Sequence, residues 1–229
     1  MNSKSNVLNV ILKASLTSLV GFCSFSVVAE NNKNWVDMSD PTAVYSNAII
    51  GGGTEGVDFS ARFGSYLSGV YKQRFTVAAK HNLDFYEFNY LLSNSVTKSG
   101  ITFDSSWNKD IEADHKDYED VNDVSIGFFA KLDFMEKRLN VYPKANVGYI
   151  WKDDVEDTTY VKFDATTRYS FNKMYWVGLT PTYTYSFDGL HLKEWAVTAD
   201  AGVQLSESFG INFSANNDEE LTANIEFAF

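Results

Sequence analysis

The chain has 229 residues, with 19 Lys and Arg against 30 Asp and Glu and a formal net charge of −11. This acidic excess argues against binding to nucleic-acid phosphates. The single cysteine, Cys23, provides no disulfide framework and no thiolate cluster for a metal. No stretch after Val28 is continuously apolar over the roughly 20 residues a membrane-spanning helix needs, although 45% of the residues are hydrophobic, so the apolar content must be distributed in another pattern.

At the start of the chain, Lys4 and Lys13 form a basic segment with no acid before Glu30, followed by an apolar stretch from Ala14 to Val28 diluted by Ser and Thr. The stretch is short for a spanning helix, and Val27-Val28-Ala29 suits signal-peptidase cleavage. Residues 1–29 therefore read as a signal peptide, cut between Ala29 and Glu30. Bulky Phe22 in front of Cys23 opposes a lipid-anchored reading. Residues 30–41 read as a short polar arm in the periplasm, and residues 42–229 as the folded domain.

From Thr42 onward the chain divides into segments of roughly ten residues with apolar residues at every second position, the signature of half-exposed strands. A weak first segment covers Thr42 to Ile50. Stronger ones follow, with Val57, Phe59, Ala61 and Phe63 on one face, then Tyr71, Phe75, Val77 and Ala79, then Tyr86, Phe88, Tyr90 and Leu92, then Ile101, Phe103 and Trp107. Val124 to Phe134, Val141 to Trp151, Val161 to Phe171, Tyr175 to Phe187, Trp195 to Leu205 and Phe209 to Ala215 continue the series. The final segment alternates Leu221, Ala223, Ile225, Phe227 and Phe229 with Thr222, Asn224 and Glu226.

Alternation alone also fits a soluble sandwich with its apolar face turned inward. Three features point instead to an all-β, transmembrane, antiparallel up-and-down β-barrel of about 12 strands, or 10 if the early segments are misread. Aromatic residues gather at strand ends, as in Tyr149 and Trp151, Tyr169 and Phe171, Tyr175 and Trp176, and Tyr185 and Phe187, which suits girdles at two membrane interfaces. The opposite face is polar or small. Connections alternate in length: short ones at Thr97-Lys98-Ser99, Glu136-Lys137-Arg138, Asn172-Lys173-Met174 and Ser206-Glu207-Ser208 are read as periplasmic turns. The longer Asn108–Asp123, Lys152–Thr158, Asp188–Glu194 and Asn216–Glu220 are read as outer loops.

The second parity supplies the expected lumen-lining residues. The bases are Arg62, Arg74, Lys80, Lys131, Lys144, Lys162 and Arg168, and the acids include Glu87, Asp104, Asp133, Asp164, Asp200 and Glu226. Later strands add Thr180, Thr182, Thr184, Thr198, Gln204, Asn212, Ser214, Thr222 and Asn224. Such an interior either forms a water-filled channel for small hydrophilic or charged solutes or closes into a solid ion-paired plug; a barrel of this size permits both. The second case leaves a structural or adhesive barrel acting through its acidic loops.

The loop from Asn108 to Asp123 is rich in carboxylates, with Asp110, Glu112 and Asp114 as weak candidates for a divalent cation. His115 and Val121 stand where a calcium loop needs Gly and Glu, so a solvated loop facing lipopolysaccharide is the simpler reading. His81, His115 and His191 form no nucleophile–base set with a rigid partner, so neither an enzyme nor a cofactor is expected.

The leader, the strand ladder and the terminal Ile225, Phe227 and Phe229 resemble the outer-membrane barrel class of Gram-negative bacteria, whose last strand is a signal to the barrel-assembly machinery. Within it, length and strand count are similar to the oligogalacturonate-specific porin family. That resemblance implies a narrow barrel of 12 strands and a basic track, for which Arg62, Arg74, Lys144, Lys162 and Arg168 are the candidates. The first strand lacks that family's basic-acidic opening motif, and the interior acids nearly match the bases.

Overall fold

A computed structural model of the chain describes residues 35–108, 121–152 and 155–229, and Trp35–Ala228 form one compact unit. The expected signal peptide, the candidates Asp110, Glu112 and Asp114, His115, and Asp153 and Asp154 lie outside the described residues. Among those described, no helix is long and apolar enough to cross a membrane, which says nothing about crossing by strands.

Thirteen strands follow one another: β1 Asn47–Gly53, β2 Gly56–Ser68, β3 Tyr71–Lys80, β4 Phe85–Asn94, β5 Ser99–Asn108, β6 Asn122–Ala130, β7 Leu132–Phe134, β8 Leu139–Lys152, β9 Val155–Ser170, β10 Tyr175–Ser186, β11 Lys193–Gln204, β12 Phe209–Asn216 and β13 Leu221–Ala228. Each pairs antiparallel with its sequence neighbour, except that β6 and β7 both pair with β8. β1 pairs with β13, which joins the two ends of the ladder into a closed barrel. β6 and β7 share one register against β8, from Phe129↔Lys144 to Leu132↔Val141, and so form a single stave. The interruption lies opposite Pro143, whose ring nitrogen has no hydrogen to donate. Pro181 leaves a similar gap, since β10 and β9 pair at Leu179↔Thr167 and again at Thr182↔Asp164 but not between. The result is a barrel of 12 staves.

The strands lie where the alternation places them, with two differences. β1 starts at Asn47, not near Thr42, and runs to Gly53. Gly51, Gly52 and Gly53 have no side chains to alternate, so the sequence signal vanishes where the strand continues. The expected Lys152–Thr158 loop is largely strand, because Lys152 pairs with Val155 after an irregularity near Ile150 and Glu156 to Thr158 belong to β9. Acidic residues at a strand end resemble a loop in sequence, whereas the backbone pairing continues through them. The connections at the end where β1 starts and β13 finishes are all short, 69–70, 95–98, 135–138, 171–174 and 205–208, but 54–55, 81–84 and 217–220 at the other end are equally tight, so the expected alternation of short and long connections holds only in part.

The partition of side chains is inverted relative to a soluble protein. The largest fully buried side chains are Gln204, Asn47 and Thr158, while Ile126, Phe128, Phe163 and Phe213 are more than half exposed on the outer face. An apolar outside with a polar inside is the arrangement a bilayer stabilises. It also disposes of the sandwich, whose interior would be apolar.

Candidate lumen and the arm inside it

Antiparallel partners point to the same side of a sheet, so register fixes which side chains share the inner face. Starting from buried Glu226, it runs through Ile49 and Ser60 to Ala78, Glu87 and Ser106. Around the other way it links Gly210 to Gln204. By the same geometry Arg62, Arg74, Lys80, Asp104, Asp133, Lys144, Lys162, Asp164, Arg168 and Asp200 stand on that face. Lys131 lies between β6 and β7 and reaches the same interior, with its Nζ 5.6 Å from the Tyr142 ring centre.

Most of these charges are partnered. Lys144 lies 2.8 Å from Asp104, which also accepts hydrogen bonds from Asn146 and Asn89. Arg168 is 3.2 Å from Asp200, Lys80 is 2.8 Å from Glu87, and Lys98 pairs with Asp133. Glu226 accepts from Asn47 and from the Tyr45 hydroxyl at 2.6 Å, with Arg62 at 3.9 Å. Lys162 and Asp164 make no ion pair among the described residues, and both line a cavity of about 310 Å³. That cavity is also lined by Lys144, Arg74, Asn89, Thr166, Thr180 and Thr182. The far wall, from β10 to β13, contributes uncharged groups such as the Asn224–Asn212 hydrogen bond.

The arm ahead of β1 folds back into the barrel, so Val36 to Tyr45 lie against inward side chains. Gln204 clasps it by donating to the Val36 carbonyl at 2.8 Å and accepting from the Met38 amide at 3.4 Å. Arg74 donates to the carbonyls of Pro41 and Ala43, Arg168 to that of Ser39, and Lys131 pairs with Asp40 at 2.7 Å. Met38 and Trp176 are buried together with Val36 and Tyr45 against them. Burial, and after it the Glu226 carboxylate, push the Tyr45 phenol well above its ordinary range, so it remains a donor. Pro41 and Thr42 close one side of the 310 Å³ cavity.

Sequence reasoning placed a short polar arm at residues 30–41 in the periplasm and did not anticipate its attachment to the barrel interior. A signal existed in Gly64, a glycine inside strand β2, which often marks close approach of another backbone. A Cβ built there would sit 2.6–2.7 Å from the Tyr45 backbone. Trp176, expected in the outer girdle beside Tyr175, instead faces inward, since it pairs in register with Gly202 and its ring lies over that residue. At the opposite end, Leu190 and Leu192 tuck against Val121, Ile150 and Tyr160. Ser186 fixes that loop by donating to the Leu190 carbonyl and accepting from the Leu192 amide at 2.8 Å.

Among the described residues no group of three or more His, Cys, Asp or Glu could hold a metal ion. No family model matches the chain, and no curated protein does either. Solved structures do match. A NanC porin aligns at TM-score 0.54 and 10% identity, over 80% of this chain and 98% of that one. A KdgM porin aligns at TM-score 0.51 and 10% identity, over 81% and 99%. The same porin in complex with disordered oligogalacturonate aligns equally well. At this identity the likeness is one of fold, and together with the inverted partition it defines the class: the chain has a closed antiparallel β-barrel fold like that of these porins, with its apolar face outside.

Proposed function

We propose that the protein is a narrow passive channel in the outer membrane of a Gram-negative bacterium, admitting small hydrophilic or charged solutes. The observation that carries this reading is the central cavity, which Lys162 and Asp164 line without forming an ion pair with any of the described residues. A structural plug would consume such groups in hydrogen bonds, whereas a solute path needs them free to exchange with passing water and ligand. The bases and acids of the inner face, Arg62 to Glu226, are then the wall of that path, and the exposed Ile225, Phe227 and Phe229 form the assembly signal. Lipopolysaccharide surrounds the outer rim.

A second reading, a closed barrel acting through its loops, is favoured by the apolar Leu190–Leu192 cluster at one end and the arm at the other. Liposome swelling separates the two. Vesicles carrying the refolded protein should swell in small neutral sugars and less as solute size rises, and Lys162→Glu should slow the entry of small anions. Swelling no faster than in protein-free vesicles would leave the closed barrel standing.

A further inference from the structure

The arm is held in a way that permits release. Trp35 to Ser46 add no strand to the barrel, and the backbone bonds within the arm are two turn contacts, Asp40 N–H to the Asp37 carbonyl and Ala43 N–H to the Asp40 carbonyl. Asp37 and Asp40 cap these turns by accepting from Ser39 and Thr42. Among the described residues the hydrogen bonds between arm and wall all involve a side chain, so the closed ladder of 12 staves stays intact whether the arm is seated or not.

The seat is also shaped for it. Gly64 leaves room for the Tyr45 backbone, and Gly210 leaves room for Met38, whose sulfur would lie 2.7 Å from a Cβ at that position. The seated arm supplies oxygen partners to three cations, Arg74, Arg168 and Lys131. Arg74, with 7% exposure, has only neutral carbonyls of the arm as direct partners. The arm brings two carboxylates, Asp37 and Asp40, and no base.

We infer that residues 35–46 are a displaceable gate that sets both the width and the ion preference of the lumen. Seated, the arm narrows the path and covers Arg74, Arg168 and Lys131. Withdrawn, it removes two negative charges and uncovers three positive ones, so the path becomes wider and anion-preferring. The inference rests on the channel reading above.

The test is single-channel recording in planar bilayers under a KCl gradient, on the refolded chain and on three variants whose folding is checked by heat-modifiable mobility. Gly64→Leu evicts the arm sterically, and Asp40→Lys sets a like charge against Lys131. Met38→Cys with Gly210→Cys ties the arm down through a disulfide across a short gap. The evicted variants should conduct several-fold more than the parent and shift the reversal potential toward that of chloride. The oxidised cysteine pair should hold the low-conductance state until a reductant releases it. If the parent conducts and Gly64→Leu matches it in both conductance and reversal potential, the gate is overturned and the channel stands. Should Gly64→Leu fail to fold, Asp40→Lys decides by the same criterion. Silence in the parent and in every folded variant overturns channel and gate together.

Discussion

Glu226 shows how single residues hold this interior. It is 4% exposed and joins three elements: Tyr45 of the arm, Asn47 of β1 and Arg62 of β2. Glu226→Ala leaves a phenol, an amide and a guanidinium without their common acceptor. Removing one partner from buried polar groups costs far more than the pair contributes net, so a loss of about 2 kcal/mol is expected, read as a lower urea midpoint in lipid vesicles. An unchanged midpoint would show the junction to be solvated and slack. Outer-face residues follow the opposite logic. Phe163, near the middle of β9, is 51% exposed on the outside, and Phe163→Arg should cost about 2–4 kcal/mol. Ser214 faces inward opposite Asp200, and Ser214→Arg should stay within about 0.5 kcal/mol. Equal penalties from the two substitutions would contradict the assignment of faces.

At the level of elements, the two prolines mark where the wall is weakest. Pro143 in β8 interrupts pairing with the β6–β7 stave, and Pro181 in β10 interrupts pairing with β9. The hydroxyls of Thr180 and Thr166 bridge the second gap at 3.0 Å, a side-chain substitute for part of the lost ladder. Local opening is easiest where backbone bonds are missing. Amides at Ala130 and Leu132 and at Thr180 and Thr182 should therefore exchange faster than those of β11 and β12, and Pro181→Val should slow the second pair alone. Uniform protection around the barrel would argue that the gaps have no dynamic consequence.

For the molecule as a whole, alternation made most of the fold legible, because each stave has one lipid-facing side and period two is the direct record of that. Phe59, Phe75, Phe88 and Phe103 could be placed without coordinates. The glycine run of β1 and the acidic start of β9 could not, since a strand with no side chains or with charged ends leaves no periodic trace. The inner charges were legible as a parity, but their pairing was not. Lys144 meets Asp104 across strands β8 and β5, 40 positions apart in sequence, and it is the pairing of both strands with β6 that brings them together. The arm was the least legible part. Its residues look like any polar lead-in, and its attachment depends on Gln204, Arg74 and Arg168 from distant strands.

The central claim is that this barrel conducts. Single-channel recording of the refolded wild-type chain in a planar bilayer tests it most directly. Stable, stepwise openings of small conductance are expected. A correctly folded, heat-modifiable barrel that never opens would contradict it, and would transfer the search for function to the loops at the rim.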